Sequence, residues 1–213
     1  MSINTFMNFN AAYQILGTVP DNLLNAVNEQ ISLALTDDDY NYKDRDLVNK
    51  EHSWLRLDFM QSPTDQRRMP LYSAILAVIE YIQQTYKVDP LNSVSVSMLK
   101  PKQVLDEHTD GRFLHRITNR YLVPLTHSDV NYNYGYYNDE KVIYPLKFGN
   151  IYRINNAIIH SALNLEDTAR YNILIDTFDA RLKEKFNHHP DRLAALTIFG
   201  VNQEFEKRLK VQP

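Results

Sequence analysis

The stretch Leu91-Asn-Ser-Val-Ser-Val-Ser-Met-Leu99 marks the point where the hydrophobic pattern of the chain changes to a period of two. Val94, Val96 and Met98 alternate with serines, so apolar and polar side chains lie on opposite faces of an extended strand. Short apolar segments follow at 117–125, 142–148, 151–154, 158–163 and 171–178. Successive short strands with few helical interruptions predict a mainly β fold, either a sandwich or a barrel.

Upstream of Leu91 the apolar period is that of a helix. Pro20-Asp21 begins one amphipathic helix and Met69-Pro70 begins a second, each with apolar residues three or four positions apart. We expect both helices to pack on the sheet. Between them, 37–46 is an acidic loop, and Trp54–Met60 alternates as a further strand would. A last helical stretch is predicted from His189 to Leu209.

The segment 131–140 is rich in Tyr and Asn, with tyrosines at 132, 134, 136 and 137. We interpret it as a long surface loop between strands. A functional alternative is a lid that covers a binding site. Taken together, the chain is predicted to be a single domain over 1–213. A helix-rich N-terminal part (1–90) would pack on a β core (91–180), followed by a C-terminal helical extension (181–213).

The composition is that of an ordinary soluble protein. Of the 213 residues, 44% are hydrophobic and 23% charged, and the net charge of −3 comes from interleaved acids and bases. No basic face indicates nucleic acid, and no apolar run is long enough to cross a membrane. The chain has no cysteine, which excludes disulfides, thiolate metal sites and cysteine nucleophiles. Without an export signal at the N-terminus, we expect a cytoplasmic protein.

Three H-x-D motifs occur among the seven histidines of the chain: His108-Thr-Asp110, His127-Ser-Asp129 and His189-Pro-Asp191. Asp191 is better explained as a first-turn acid at a helix start. His127-Ser-Asp129 leaves a strand, and a turn accounts for it. The first motif lies between predicted strands and is followed at strand spacing by His160 and Arg170.

Two imidazoles and one carboxylate can occupy one face of an octahedral metal and leave the opposite face open, as non-haem Fe(II) oxygenases require. His108, Asp110 and His160 are therefore the predicted metal ligands. Arg170 lies ten positions beyond His160, one strand away. Its guanidinium fork matches a carboxylate bidentately and would anchor a 2-oxoacid cosubstrate. Each alone has a plainer explanation, since a single histidine on an apolar strand is usually a core residue.

The stretch from Ser97 to Phe178 resembles the aspartyl/asparaginyl β-hydroxylase family of Fe(II)- and 2-oxoglutarate-dependent oxygenases. The segment Gly149-Asn-Ile-Tyr-Arg-Ile-Asn-Asn-Ala-Ile-Ile-His160 is similar to the family's glycine, apolar strand, Asp-Asp and distal histidine, without a gap. Arg170-Tyr-Asn-Ile-Leu-Ile-Asp176 is similar to the terminal R-x-x-L-x-x-D strand. Arg120-Tyr-Leu-Val-Pro-Leu125 is similar to R-x-H-x-x-L, and Ser97 stands at the family's spacing upstream of His108.

The resemblance implies a double-stranded β-helix (jelly-roll, cupin-like) core within an α+β fold with flanking helices. It also implies that Arg170 and Ser97 bind the 5-carboxylate of 2-oxoglutarate and that Arg120 helps to hold the cosubstrate near the metal. Leu122 replaces a polar cosubstrate contact of many relatives, which predicts a different environment for the oxalyl end. Asn155-Asn156 replaces the aspartate pair, a change expected to alter a turn rather than the chemistry.

The function implied is an Fe(II)-dependent dioxygenase that uses 2-oxoglutarate and O₂ to hydroxylate an amino-acid side chain, in a protein, a peptide or a free amino acid. Succinate and CO₂ are the coproducts. One alternative is a catalytically inactive cupin-like domain that binds a metal or a partner. A cupin-like enzyme with the same triad but without 2-oxoglutarate is another, although neither explains an arginine at position 170.

Overall fold

The computed structural model describes residues 11–36, 54–55, 69–88, 91–109 and 119–177. Two helices and nine strands lie in these ranges, in the order β1 (Tyr13–Thr18), α1 (Asp21–Thr36), β2 (Trp54–Leu55), α2 (Met69–Tyr86), β3 (Leu91–Leu99), β4 (Asn119–Pro124), β5 (Tyr132–Tyr137), β6 (Glu140–Pro145), β7 (Asn150–Ile154), β8 (His160–Leu163) and β9 (Arg170–Thr177). The predicted acidic loop 37–46, the rest of the strand to Met60 and the helix from His189 lie outside the described residues.

Both predicted helices are confirmed. The apolar positions of α1 and α2 are buried in one cluster with Val94, Val96, Tyr121, Ile173 and Ile175 of the strands. Burying such a stripe is what stabilises an amphipathic helix in a protein, since isolated helices of this length are marginal in water. Asn28 of α1 also donates Nδ2–H to the carbonyl oxygen of Leu125 at 2.8 Å, which ties the helix to the end of β4.

The strands form a six-stranded sheet of order β1-β7-β4-β9-β3-β2 and a three-stranded sheet of order β6-β5-β8. All of the pairings are antiparallel. Two isolated bridges, Val104 with Leu163 and His108 with His160, lay the segment after β3 along the free side of β8. We call these layers the major and the minor sheet, and the mainly β prediction is confirmed.

The space between the two sheets holds a second apolar core. Leu122 and Leu174 of the major sheet are buried there in one cluster with Tyr144 of the minor sheet. Leu99, Leu105 and Ala162 form another buried cluster. Because neighbours along a strand point to opposite faces, one face of β4 and β9 packs on the helices and the other faces the minor sheet. The predicted jelly-roll arrangement is the result.

The interpretation of 131–140 as a long loop is wrong. Tyr132–Tyr137 is strand β5, and it forms a hairpin with β6 in which Tyr137 pairs with Glu140. Asn138 and Asp139 have φ of 51° and 64°, the left-handed conformation at both central positions of a two-residue turn. Asn and Asp tolerate this conformation better than other non-glycine residues. The compositional bias concealed a pattern of period two along the strand.

The sequence pattern also did not reveal β1. Its pairing with β7 shifts register between Ile15 and Gly17, and this irregularity disrupts the alternation by which a strand is recognised. Within the described residues no helix is long and apolar enough to cross a membrane.

Candidate metal and cosubstrate site

His108 and His160 lie side by side on neighbouring segments of the minor sheet. The amide of each donates to the carbonyl oxygen of the other, at 3.0 and 2.9 Å. Their ring centroids are 4.6 Å apart and the ring planes are tilted by 56°. The sequence separates them by 52 positions, so only the pairing of the two segments brings them together. Two of the three predicted metal ligands are thus adjacent.

The backbone also sets the orientation of both imidazoles. Nδ1 of His108 lies 2.6 Å from the carbonyl oxygen of Asp106, and Nδ1 of His160 lies 2.9 Å from that of Ile158. A carbonyl oxygen can only accept, so Nδ1–H is the donor in each bond. The neutral ring then carries its lone pair on Nε2. This is the second contact that metal-binding histidines usually make, because it holds the tautomer and the ring orientation.

Asp110, the third predicted ligand, lies outside the described residues. Among the residues that the structure describes, no group of three or more His, Asp or Glu side chains is placed to hold a metal ion. The structure therefore brings two of the three predicted ligands together, and metal binding by His108, Asp110 and His160 stays a prediction.

Arg170 is a buried cation. Only 2% of the residue is exposed, and one of its terminal nitrogens, Nη1, donates to the carbonyl oxygen of Leu163 at 2.6 Å. The Nε atom is buried without a hydrogen-bond partner. Burial lowers the pKa of Arg170 to about 9, so the guanidinium stays charged at neutral pH but is poorly solvated. A buried cation with an unused donor is a site for an anion.

The position of Arg170 relative to the histidines suits a molecule with two ends. Leu163, which accepts from Arg170, is three residues beyond His160 on β8. At the rise of a strand, this corresponds to about 10 Å. A 2-oxoacid with a second carboxylate could therefore contact a metal at the histidines and the guanidinium at once.

Ser97 lies beside Arg170 in the major sheet. It is 7% exposed and pairs in register with Asn172, while the next inward residue of β3, Leu99, pairs with Arg170. Asn172 donates Nδ2–H to Ser97 Oγ at 3.3 Å, and its Oδ1 is buried without a partner. Ser97 is thus an interior residue rather than an outward member of the Ser-Val alternation.

Arg120 is placed differently. Its Nε and Nη2 donate to the two carboxylate oxygens of Asp176 at 2.7 and 2.9 Å, a bidentate ion pair that is largely buried. Asp176 is six residues from Arg170 on β9, about 20 Å along the strand. The structure thus does not bring Arg120 to Arg170, and its contact with the cosubstrate stays a prediction.

The second H-x-D motif forms a turn, as expected. Ser128 Oγ accepts from the amides of Val130 and Asn131 at 3.2 and 3.0 Å and donates to Glu166 at 2.7 Å. The His127 ring stacks on Phe148, with centroids 3.8 Å apart. An open cavity of ≈ 660 Å³ is lined in part by His127, Ser128, Val130, Phe148 and Glu166, and none of the predicted metal or cosubstrate residues lines it.

A polar network on the outer face of the minor sheet adjoins the histidines. Glu107 Oε1 accepts from the hydroxyls of Tyr134 and Tyr136 at 2.8 and 2.9 Å. These bonds lower the pKa of Glu107 and contribute to raised pKa values of both tyrosines. Lys141 Nζ lies 3.6 Å from the centroid of the Tyr134 ring. The network joins the segment that carries His108 to β5, across β8.

The fold and the paired histidines define a double-stranded β-helix protein of the kind used by non-haem oxygenases. A family model described as aspartyl/asparaginyl β-hydroxylase matches residues 19–180. The chain belongs to this family of hydroxylase-type oxygenases, so the resemblance found in the sequence is confirmed. No curated protein matches it in a sequence comparison.

Several solved structures are similar in fold. AviO1 from Streptomyces viridochromogenes Tue57 has a TM-score of 0.53 and 12% identity over 84% of this chain and 93% of that one. A Pseudomonas putida prolyl-4-hydroxylase has a TM-score of 0.52 and 10% identity over 84% and 97%. The non-heme monooxygenase ThoJ has a TM-score of 0.52 and 12% identity over 78% and 74%. At these identities the likeness shows the fold alone.

Proposed function

We propose that the protein is an Fe(II)- and 2-oxoglutarate-dependent dioxygenase that hydroxylates an amino-acid side chain, in a protein, a peptide or a free amino acid. The observation that carries this proposal is the pair His108 and His160, whose rings are both oriented through Nδ1, together with the buried guanidinium of Arg170. The carbonyl that accepts from Arg170 belongs to Leu163, about 10 Å from His160 along the strand. Family membership supports the hydroxylation.

The metal would be held by Nε2 of His108, Nε2 of His160 and the carboxylate of Asp110. Two nitrogens and one oxygen on one face suit Fe(II), which would activate O₂ at the open face when bound. One atom of O₂ would enter the substrate as a hydroxyl group. The other would enter succinate, which forms together with CO₂ from 2-oxoglutarate. ThoJ, which shares the fold, has been solved as a nickel complex.

The chain's own residues would orient the reactants. The Asp106 and Ile158 carbonyls hold the rings of His108 and His160. Arg170 would bind the 5-carboxylate bidentately, beside Ser97, and the bound anion would offset the cost of burying the guanidinium. The buried Leu99, Leu105 and Ala162 would keep bulk water from this space.

The first experiment detects the metal and cosubstrate together. Anaerobic addition of Fe(II) and 2-oxoglutarate should produce the weak visible charge-transfer band of the chelated complex. His108→Ala and His160→Ala should each abolish it, whereas the matched control His127→Ala should retain it, since His127 belongs to the turn motif. A folded wild-type protein without the band would refute the proposal and favour the inactive cupin-like domain.

The second experiment seeks the substrate. Succinate release is measured across free amino acids and peptides, and mass spectrometry tests each product for one added oxygen atom. Release that depends on a particular amino acid or peptide, with an oxygen added to its side chain, is the expected result. Turnover without 2-oxoglutarate would instead favour a cupin-like enzyme.

A further inference from the structure

The open cavity beside the second H-x-D motif is formed by three loops that meet at one end of the two sheets. Its volume is ≈ 660 Å³, and it is lined by residues 127–130, 147–148 and Glu166. These residues belong to the β4–β5, β6–β7 and β8–β9 connections. Small-molecule sites typically have volumes of about 300 to 1,000 Å³. The two histidines pair at the start of β8, whereas Glu166 follows the end of that strand, so the cavity is a separate feature.

Charges of both signs line this cavity without neutralising each other. Lys147 and Asp129 are exposed, and neither forms an ion pair with any residue that the structure describes. Glu166 accepts from the Ser128 hydroxyl with Oε1, and within the described part of the chain its Oε2 accepts no hydrogen bond. A carboxylate with one oxygen in use can accept a further donor at the other. The cavity therefore offers a cation and two carboxylates to a ligand.

The rest of the wall is aromatic and aliphatic. The His127 ring lies nearly parallel to the ring of Phe148, with an interplanar angle of 19° and centroids 3.8 Å apart. Val130, which is 48% exposed, adds an aliphatic side chain. Apolar groups that stay exposed beside a cavity favour a ligand with an apolar part, because binding removes both apolar surfaces from water.

Hydrogen bonds hold the three loops together in the absence of a ligand. Asn131 joins all of them: its Oδ1 accepts from the Leu165 amide at 2.7 Å, and its carbonyl oxygen accepts from the Leu146 amide at 3.1 Å. The bond from Ser128 to Glu166, at 2.7 Å, is a second link between two of the loops. Because the walls are fixed beforehand, binding would not incur the entropy cost of ordering them.

We propose that this cavity binds a free α-amino acid with a large apolar side chain. The α-carboxylate would lie at Lys147, the α-ammonium at Glu166 and Asp129, and the side chain against Phe148 and Val130. A zwitterion suits this pattern, because a simple anion would be repelled by two carboxylates and a simple cation by the lysine. The inference goes beyond the proposed function: none of the predicted metal or cosubstrate residues lines the cavity, so an amino acid bound here would not be the molecule that is hydroxylated.

The test compares L-phenylalanine with three probes that each lack one of its groups. The compound 3-phenylpropanoate has no ammonium group, 2-phenylethylamine has no carboxylate, and glycine has no apolar side chain. L-leucine is included as an aliphatic counterpart. Kd values are measured by calorimetric titration of the whole chain without added metal or 2-oxoglutarate, with saturation-transfer NMR for weak ligands. Each probe that lacks a group should bind about fivefold more weakly than L-phenylalanine or worse, as expected for one lost, partly exposed contact.

Substitutions then assign each charged group of the ligand to a residue. Lys147→Gln should raise the Kd of L-phenylalanine and of 3-phenylpropanoate by about fivefold and leave that of 2-phenylethylamine unchanged. Glu166→Gln keeps an acceptor for Ser128 and should show the opposite pattern, with 2-phenylethylamine affected and 3-phenylpropanoate not. Lys141→Gln is the matched control. Lys141 is also exposed, but it lies over the ring of Tyr134, outside the cavity, and its loss should change no Kd.

Three results would overturn the inference. The first is that neither L-phenylalanine nor L-leucine binds, or that the probes lacking a group bind as tightly. The second is that folded Lys147→Gln and Glu166→Gln bind all ligands as the wild type does. The third is that His160→Ala abolishes binding, because the amino acid then occupies the predicted metal site. None of these results bears on the proposed function, which depends on the charge-transfer band of the Fe(II) complex.

Discussion

The side chain of Ile158 occupies the space in front of Gly135. A Cβ built on Gly135 would lie 2.7 Å from Cδ1 of Ile158 and 3.3 Å from its Cγ1. Gly135 pairs in register with His160, and the carbonyl of Ile158 accepts from the His160 ring. The glycine thus leaves room for the residue that orients a predicted metal ligand.

Gly135→Ala should therefore destabilise the protein and disturb His160. The overlap involves the end of a side chain that can rotate, so the expected loss in free energy of unfolding is about 1 kcal/mol. Metal affinity should fall as well, because Ile158 must shift. Denaturant unfolding and a Co(II) titration measure the two effects. Adding Ile158→Val removes the clashing methyl and should restore both; failure to do so would contradict this explanation.

Arg170→Met should stabilise the ligand-free protein while abolishing cosubstrate binding. Burial of the charged group is costly at any pH below its folded pKa of about 9, and methionine removes that cost. Leu163 loses its donor, so the expected net gain in free energy of unfolding is on the order of 1 kcal/mol. Thermal unfolding with and without 2-oxoglutarate measures both the stability of the variant and its loss of cosubstrate binding. A variant that is less stable and still stabilised by 2-oxoglutarate would contradict it.

Cosubstrate binding should weaken as the pH rises through about 9, the pKa of Arg170 in the ligand-free protein. Below this pH the guanidinium is already protonated, whereas above it a proton must be taken up before the carboxylate binds. The Kd of 2-oxoglutarate should then rise by up to about tenfold per pH unit. Calorimetric titration between neutral pH and pH values above 9 tests this. The Kd of 2-oxopentanoate, which lacks the distal carboxylate, should not show the same rise.

Removing both hydroxyls that bind Glu107 should destabilise the minor sheet in a pH-dependent way. The hydrogen bond from Tyr134 lowers the pKa of Glu107 most, and the hydrogen bond from Tyr136 lowers it further, so the folded state favours the carboxylate. The contribution of the ionised Glu107 to the free energy of unfolding is present above the pKa of glutamate in the unfolded chain. It disappears as the pH falls through the lower pKa of Glu107 in the folded protein. Tyr134→Phe/Tyr136→Phe should therefore be less stable than wild type at neutral pH. Denaturant unfolding at acidic pH should show a smaller difference, and a constant difference would exclude Glu107 as its source.

The ion pair of Arg120 and Asp176 should matter more for stability than for binding. Asp176→Asn leaves a buried guanidinium without its anion, which typically costs about 3 kcal/mol or more. The Kd of 2-oxoglutarate should be nearly unchanged in this variant while it remains folded. A large rise in Kd would instead support the predicted role of Arg120 in holding the cosubstrate.

Local periodicity was sufficient to predict a helix or a strand where apolar and polar residues recur regularly along the chain. The alternation around Val94 predicted β3, and the spacing of Leu24, Val27 and Ile31 predicted α1. In the Tyr/Asn segment Asn133 and Gly135 lie on one face of the strand and Tyr134 and Tyr136 on the other, but burial does not alternate, since Tyr134 is also buried. Its polar composition hid the pattern, because burial of asparagine depends on what lies across from it.

The sequence by itself determined the alternating strands, the two helices and the residues His108, Asp110, His160 and Arg170 as a chemically consistent set, since each follows from the residue type and its local spacing. Only the tertiary structure decided that His108 pairs with His160 and that Arg120 is neutralised by Asp176. These relations join segments that are distant in sequence. Sheet order and packing between sheets are non-local, and the pattern along one strand carries no record of its partner.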